Sequence, residues 1–338
     1  MTPPTDCMTD FAGGAFAQVA AGGLPAPGEP RAHRVAGGSV AGRVAAVAAD
    51  VSRLTRPRIA LLVLVTVFCA MWLTAGRAVG GPALVWLLAG TALVAASSSI
   101  ANQILERDAD RLMPRTARRP IASGRLSVVA ATLLATVLVT AGVLVMTLAA
   151  GWQAAAAALA TWVLYVVVYT PMKTRSPLNT AVGAISGAMP VAIGWLAADG
   201  PLRLAEGDSA GGLAVAALAT VLYLWQFPHF MAIAWLYRGQ YAAAGMRMLT
   251  VEDPSGLRAA AQSLAASLAM VPVSLVLAVP SGSIRMFLAA AIAAVVYAVA
   301  TVSFAIRRDD ASARTLLFTS LGSLLAILTA AVVFGPPA

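Results

Sequence analysis

Residues 82–110 read PALVWLLAGTALVAASSSIANQILERDAD, and this stretch indicates both the architecture and the position of the functional site. Residues 82–101 are apolar or small, and a run of that length can cross the hydrocarbon core of a bilayer as a helix. Asn102, Glu106 and Asp110 then follow at every fourth position. On a continuing helix their oxygen atoms would lie along one face. The stretch therefore predicts a membrane helix whose end carries a row of oxygen ligands.

A cluster of further charged residues follows this row. The cluster comprises Arg107, Asp108, Arg111, Arg115, Arg118 and Arg119. Mg²⁺ takes oxygen ligands and usually keeps waters or phosphate oxygens, while guanidinium groups bind phosphate through paired hydrogen bonds. Carboxylates beside several guanidinium groups are thus typical of a metal-bridged phosphate or diphosphate site. The alternative is a solvated helix end at the membrane interface, where these charges form only local ion pairs.

The composition of the whole chain indicates a polytopic membrane protein. Of its 338 residues, 60% are hydrophobic and only 11% are charged, far from the values of a soluble domain. Nine apolar runs are long enough to span a bilayer. They cover residues 59–75, 82–101, 126–150, 153–169, 180–197, 213–234, 259–279, 286–306 and 316–334. Because the backbone must satisfy its own hydrogen bonds in lipid, we predict an all-α bundle of nine transmembrane helices.

The placement of basic residues predicts the orientation of these helices. Only Arg77, Arg203 and Arg285, of 23 basic residues, fall on one side of the nine spans. The positive-inside rule assigns the other side to the cytoplasm, which is the side of the N-terminus and of the polar loops. The net charge of +9 then follows from topology and contact with lipid, and no nucleic-acid partner is expected. We predict a multi-pass protein of the inner (plasma) membrane.

The chain divides into two predicted regions. Residues 1–50 are rich in Gly, Ala and Pro and lack the apolar core of a signal peptide, so we expect a mostly disordered cytoplasmic tail. Residues 51–338 would form the transmembrane domain. Cys7 lies in the tail and Cys69 within the first span, which suggests neither a disulfide nor a thiolate metal site.

A second polar segment, residues 165–180, follows the fourth span. It contains Lys173, the only lysine in the chain, together with Arg175 and Asn179. A compact ammonium group can neutralise a diphosphate oxygen as a point charge. Lys173 would lie on the same membrane face as Asn102 and Glu106, which favours a role in the site. The alternative is an anchor that extends its ammonium group to the interface.

A third polar segment begins within the sixth span with residues 225–230, WQFPHF. His229 is a titratable residue inside a membrane helix, and such residues are functional candidates. It could contact a substrate, ligate haem iron, or bond a neighbouring carbonyl. Trp225 would pack, anchor the helix at the interface, or stabilise a carbocation with its ring face. Arg238 and Tyr241 follow in the next loop.

Together these segments resemble the UbiA family of intramembrane prenyltransferases over about residues 54–255. The wider family is indicated by the spacing of Asn102, Glu106 and Asp110. Similarity to its haem-modifying branch is carried by residues 115–120, RTARRP, and 228–230, PHF. The remaining matching residues are 107–114, Tyr169–Lys173, Asn179, 225–227, Tyr241, Ala244, Gly245, Met248 and Leu249.

The resemblance implies a nine-helix bundle with a cytoplasmic-facing cavity for Mg²⁺ and an allylic diphosphate. It implies transfer of a farnesyl group from farnesyl diphosphate to a vinyl group of haem b, which is a substrate, giving haem O for haem–copper oxidases. By motif position, Asn102, Glu106 and Asp110 would hold Mg²⁺ and act in catalysis with Lys173. Substrate contacts would come from Arg107, Asp108, Arg115, Arg118, Arg119, Arg175, Asn179, Trp225, His229, Arg238 and Tyr241. Implied partners are farnesyl diphosphate, haem b, the lipid bilayer, and haem-modifying and oxidase-assembly proteins.

Two positions depart from the family pattern. Gly239 and Gln240 stand where the family usually has an acidic pair before Tyr241, so a second metal position would need Glu252 or Asp253 to reach it. Thr174 separates Lys173 from Arg175, whereas the family tends to place the arginine directly after the lysine. Either change would affect metal dependence, substrate choice or activity.

Two other functions fit parts of the sequence. Another UbiA-type transferase would act on a quinone precursor or a chlorin. A transporter would also have many apolar spans with polar groups in them. Against a transporter, the charged groups cluster at one interface and no paired unwound helices are evident.

Overall fold

The computed structural model describes residues 40–76 and 80–335, and all regular structure in these ranges is helical. In chain order the helices are α1 (Val40–Thr55), α2 (Pro57–Ala75), α3 (Gly81–Leu105), α4 (Arg107–Leu112), α5 (Val128–Val163), α6 (Asn179–Ala197), α7 (Gly200–Ala205), α8 (Ser209–Leu236), α9 (Arg238–Ala243), α10 (Leu249–Glu252), α11 (Leu257–Ala278), α12 (Ile284–Arg307) and α13 (Asp310–Phe334). Helix α5 continues through a π-helical segment, Leu164–Tyr169, and a last α-helical turn, Thr170–Met172.

Eight helices of the described chain are long and apolar enough to cross a membrane. One of them contains two consecutive spans that are separated by a reversal of direction. This helix runs over Val128–Met172, 45 residues, and is interrupted at Gly151, which has φ 83° and ψ 165°. Ser97 on α3 donates a hydrogen bond to the carbonyl of Ala135 and accepts one from Trp162 Nε1. In a straight helix those two α5 positions would be about 40 Å apart, so α5 reverses direction at Gly151.

The nine predicted spans are therefore confirmed, with ends that differ by a few residues. A reversal within two residues needs a backbone conformation that glycine adopts easily, because a positive φ places a Cβ atom too close to the backbone.

The arm of α5 before Gly151 packs closely against α3, where Gly142 faces Gly90. A Cβ at Gly142 would lie 2.8 Å from the Gly90 carbonyl oxygen. Small residues permit such close backbone approach between membrane helices.

Large apolar side chains cover the outer surface of the bundle. Leu148 is 80% exposed and Val129 is 70% exposed, as expected for side chains that contact lipid rather than water. Inside, the main apolar core joins α2, α6, α8, α11, α12 and α13 around fully buried Tyr297, Phe304 and Leu218. The bundle thus has a lipid-facing exterior and a packed interior.

One end of the bundle carries the polar loops and positions the site. Arg125, in the loop before α5, binds both carboxylate oxygens of Asp50 at 2.8 and 3.0 Å. Gln103 Nε2 donates to the carbonyls of Arg53 and Leu54. These contacts fix the last turns of α1 beside α3. These contacts therefore stabilise the polar end of the bundle at the residues that directly precede α2.

Residues 1–39 of the predicted disordered tail, which was expected to cover residues 1–50, lie outside the described residues. From Val40 the chain is helical, which differs from the prediction of disorder over residues 40–50. The difference has a local reason, because this part is rich in alanine, the best helix former. Cys7 also lies outside the described residues, and Cys69 is a free, buried thiol.

Candidate functional site: an acid and cation cluster in an apolar cavity

Asn102, Glu106 and Asp110 share one face, although the helix that carries them is interrupted. Helix α3 ends at Leu105, Glu106 has φ −94° and ψ 4°, and α4 begins at Arg107. The predicted single continuing helix is thus wrong in this detail. Backbone hydrogen bonds from the Glu106 amide to the Asn102 carbonyl and from the Asp110 amide to the Glu106 carbonyl preserve the four-residue register. All three side chains are buried.

Asn102 has an oxygen without a partner. Its Nδ2 donates to Thr170 Oγ1 at 3.1 Å, and Thr170 donates in turn to the Tyr165 carbonyl. Asn102 Oδ1 is buried and accepts no hydrogen bond from any described residue. An acceptor left unsatisfied in an apolar interior is costly. This oxygen is therefore suited to receive a ligand or a cation.

Glu106 forms a buried ion pair with the single lysine. Lys173 Nζ lies 2.6 Å from Glu106 Oε1 and 4.5 Å from the centre of the Tyr169 ring. Burial is the largest single influence and disfavours the charged carboxylate, but Lys173, Arg56 and Arg119 together outweigh it and lower the pKa of Glu106. Burial likewise opposes the ammonium, while the Glu106 carboxylate raises the pKa of Lys173. Both groups are therefore charged at neutral pH.

Asp110 is bound by Arg119, which also lies near Glu106. Arg119 Nη1 lies 2.7 and 2.6 Å from the two Asp110 oxygens and 4.0 Å from Glu106 Oε2. Burial raises the pKa of Asp110, and the guanidinium opposes this effect. One guanidinium thus lies between the two carboxylates, and Lys173 pairs with one of them, Glu106.

These groups line the polar end of a cavity of about 440 Å³. Deeper parts of the wall come from α2, α3, α5, α6 and α8, with Val94, Ala158 and Ile193 among the apolar residues. Trp225 and His229 also line the cavity, and their rings stack with centroids 4.6 Å apart. The cavity therefore joins a charged end to an apolar interior, which suits a ligand with a polyanionic head and a hydrocarbon tail.

At the rim, Arg115 and Tyr241 meet across two loops. Arg115 Nη2 donates to the Tyr241 hydroxyl at 3.3 Å, and its guanidinium lies over the Tyr237 ring at 4.6 Å. Both Arg115 and Tyr241 line the cavity.

Sequence reasoning missed Arg56, which also lines the cavity. Its Nη2 is buried and has no hydrogen-bond partner in the described chain. Arg56 adopts the left-handed conformation, φ 49° and ψ 62°, directly before Pro57 opens α2. The available signal was this proline, because proline favours the first turn of a helix and so places Arg56 at the polar mouth of the span.

Several predicted site residues lie outside the cavity wall. Arg107 and Arg111 both pair with Asp108 on the exposed surface. Arg238 pairs with Asp310 at 2.9 Å and stacks on Trp235. The other predicted residues that do not line the cavity are Asn102, which is fully buried one turn before Glu106, and Arg118, Arg175 and Asn179. Asn179 ties two loops together, because its Nδ2 donates to the carbonyls of Ser176 and Arg247.

The acids that could replace a carboxylate at Gln240 are engaged elsewhere. Glu252 pairs with Arg247 at 2.6 Å, and Asp253 accepts from Ser255 and from the Arg258 amide. Gln240 Oε1 is buried without a partner among the described residues. In the part of the chain that the structure describes, no group of three or more His, Cys, Asp or Glu side chains could hold a metal. A cation would thus depend on Glu106, Asp110 and the Asn102 oxygen.

Comparison with known protein families gives a match over most of the chain. The model of the UbiA prenyltransferase family matches residues 63–328. A protoheme IX farnesyltransferase of Rhodopirellula baltica is 42% identical over 283 residues, covering 81% of this chain and 96% of that protein. The enzyme of the same name from Solibacter usitatus is 37% identical over 284 residues, covering 80% and 94% of the two chains.

Solved structures share the fold at low sequence identity. A structure described as digeranylgeranylglyceryl phosphate synthase has a TM-score of 0.69 at 13% identity, covering 85% of this chain and 97% of that chain. A UbiA homolog from Archaeoglobus fulgidus bound to DMAPP and Mg²⁺ has a TM-score of 0.60 at 17% identity, covering 84% and 99%. At these identities the likeness concerns the fold alone.

Proposed function

The chain belongs to the UbiA prenyltransferase family, and on that premise we propose that it transfers a farnesyl group from farnesyl diphosphate to a vinyl group of haem b, with water adding to the haem-derived carbon, giving haem O and diphosphate. The observation that carries this proposal is the cavity, in which two carboxylates and four cationic side chains meet at one end of an apolar chamber. The names of its relatives, at up to 42% identity over most of both chains, favour haem as the acceptor.

Mg²⁺ fits the polar end of the cavity, since the residues offer three oxygen donors and one of them is unsatisfied. Asn102 Oδ1, Glu106 and Asp110 would hold the ion, which supplies positive charge against the diphosphate oxygens. Lys173 and Arg119 now occupy the two carboxylates. With an ion held by the carboxylates, Lys173 and the remaining guanidinium nitrogens of Arg119 would be available to the diphosphate.

Positive side chains of the protein would stabilise the leaving group. Arg56 and Arg115 line the same end of the cavity as Arg119 and Lys173. As the bond between farnesyl C1 and oxygen breaks, negative charge develops on the diphosphate. Preorganised cations in a site shielded from water stabilise such charge strongly. Four cationic side chains around one anion thus favour ionisation of the allylic diphosphate.

The apolar wall of the cavity would protect the prenyl group and the allylic cation that forms from it. Val94, Ala158 and Ile193 would surround the prenyl chain and keep water from the allylic cation. The ring faces of Tyr169 and Trp225 would stabilise positive charge near them. The vinyl π electrons of haem b then form the new carbon–carbon bond with farnesyl C1.

Location and partners follow from the same proposal. The protein is a multi-pass membrane protein, and we place it in the inner (plasma) membrane with the charged end of the cavity on the cytoplasmic side. Eighteen-residue windows of mean hydropathy 1.5 to 2.5 in the eight apolar helices support insertion, and the basic loops support the orientation. Haem-modifying and oxidase-assembly proteins would supply its substrate and receive its product.

Purified protein with haem b and farnesyl diphosphate, with and without Mg²⁺, tests the proposal. We expect a farnesylated haem by liquid chromatography and mass spectrometry, and loss of product on chelation. Glu106→Gln should lack activity, whereas Glu206→Gln, the same change at an exposed loop, should not. Absence of farnesylated haem, or prenylation of a quinone precursor or chlorin in its place, would reject haem as the acceptor.

A further inference from the structure

His229 has a fixed tautomer that leaves one ring nitrogen free. Its Nδ1 lies 2.7 Å from Ser320 Oγ on α13, and Ser320 Oγ lies 2.6 Å from the Leu317 carbonyl oxygen. A hydroxyl has one hydrogen and a carbonyl only accepts, so Ser320 donates to Leu317. His229 Nδ1 must then donate to Ser320. In the neutral ring the lone pair is therefore on Nε2.

The His229 ring is held in place on several sides, and the residue borders the cavity. It stacks on Trp225 with an interplanar angle of 23° and meets the Phe230 ring edge-on. Trp225 is fixed by a hydrogen bond from Nε1 to the Ser320 carbonyl at 2.7 Å. Nε2 forms no hydrogen bond with a described residue, and His229 lines the cavity. The lone pair is thus available to a molecule inside the cavity.

Gln226 provides a second free acceptor one turn earlier on the same helix. Its Nε2 donates to the carbonyls of Ala184 and Leu222, both at 3.0 Å. Because both amide hydrogens are used, Oε1 is left to accept. Gln226 also lines the cavity, and it lies over Gly187, where a Cβ atom would collide with it. Residues three apart on a helix share a face, so the two acceptors stand side by side.

We propose that His229 accepts the proton of the water that ends the reaction, while Gln226 Oε1 holds the other hydrogen of that water. This proposal rests on the function proposed above. When the vinyl group attacks farnesyl C1, the C1–O electron pair leaves with diphosphate and the inner vinyl carbon becomes cationic. A water oxygen then bonds to that carbon, and one water proton moves to His229 Nε2. The product is a secondary alcohol.

The role of the two acceptors is to decide between two products. Without a held and activated water, the cation can lose a proton from the adjacent methylene to diphosphate or solvent. That loss gives an alkene that is lighter than the alcohol by one water. Ser320 acts through His229 and is a positioning residue, because it keeps the lone pair on Nε2. The ratio of alcohol to alkene therefore measures whether the two acceptors, His229 and Gln226, hold and activate the water.

The experiment measures this ratio by mass spectrometry for purified full-length protein with haem b and farnesyl diphosphate. Wild type should form mainly alcohol. His229→Phe and Ser320→Ala should shift the ratio at least tenfold toward alkene, and Ser320→Thr, which keeps the hydroxyl, should retain the wild-type ratio. Ser323→Ala is the matched control, since Ser323 is buried on the same helix and donates only to the Ala293 carbonyl. Thermal unfolding establishes that each variant is folded.

Each result decides the proposal. An unchanged ratio in folded His229→Phe overturns it while farnesyl transfer stands. If His229→Phe removes a shift in haem absorption that wild type shows on binding haem b, and the ratio of alcohol to alkene is unchanged, His229 is a ligand of the haem iron. That result also overturns the proposal. If wild type forms no farnesylated haem at all, the proposed function fails and this inference fails with it.

Discussion

Arg119 binds Asp110 through a single nitrogen, Nη1, which lies 2.7 Å from Oδ1 and 2.6 Å from Oδ2. Among the described residues, this nitrogen makes all the side-chain hydrogen bonds of Arg119. The remaining guanidinium nitrogens can therefore meet a second anion without releasing the first. A guanidinium placed in this way can couple diphosphate binding to the geometry of the acids.

Glu106→Gln should reduce turnover about 10²- to 10³-fold, the loss typical of removing one preorganised electrostatic group. The amide keeps the shape of the side chain but cannot balance the charge of a metal ion or of Lys173. Single-turnover formation of farnesylated haem measures the effect. Asp110→Asn should reduce turnover to a similar extent. Near-normal rates in both variants would show that these acids are not part of the site.

Lys173→Met should destabilise the protein by about 3 kcal/mol or more, because it leaves the Glu106 carboxylate buried without its partner. The double variant Glu106→Gln with Lys173→Met should recover much of that loss. Thermal unfolding in detergent measures the coupling. The exposed pair Arg247 and Glu252 is the comparison, with an expected coupling below about 1 kcal/mol. Equal coupling in the two pairs would contradict the importance of burial.

Stability should fall in acid through Asp50. The hydrogen bond from Arg125 lowers the pKa of Asp50 below its ordinary value of 3.8, so the carboxylate binds its proton more readily in the unfolded chain. The contribution is complete well above pH 3.8 and is lost as the pH falls through the folded pKa. Melting temperatures between neutral and strongly acidic pH should show a smaller decline for Asp50→Asn than for wild type. Parallel curves would exclude this contribution.

Gly142→Ala should destabilise the bundle by roughly 1 to 3 kcal/mol, the usual cost of overpacking. The new Cβ would lie 2.8 Å from the Gly90 carbonyl oxygen and 2.8 Å from Val94 Cγ2, and a backbone carbonyl cannot move aside cheaply. Gly322→Ala on α13 is the control, since its Cβ would have no neighbour within 4 Å and alanine favours the helix. Thermal unfolding that ranks the two variants equally would contradict close packing of α3 and α5.

The sequence predicted the features that leave a local pattern. Apolar runs predicted all nine spans, and the short gap between the runs at residues 126–150 and 153–169 agrees with the break in α5 at Gly151. The spacing of Asn102, Glu106 and Asp110 predicted their shared face. Such patterns depend on neighbouring positions, which the chain displays directly.

Features that depend on distant residues were not predictable in this way. Arg56 reaches the cavity only because α2 starts beside α3, and Arg238 pairs with Asp310, 72 positions later. The ion pair between Lys173 and Glu106 likewise joins two loops. The resemblance assigned Arg107 and Asp108 to the site by motif position, and in the structure these two side chains form an ion pair at the surface.

The ion pairs of the cavity have a consequence for biogenesis. Since each acid already has a cation beside it, neither carboxylate is left as an uncompensated buried charge in the metal-free protein. On the proposed function, insertion and folding would not depend on magnesium, unlike small zinc domains, whose folding awaits the ion. Metal loading would then be a late and reversible exchange of counter-ions.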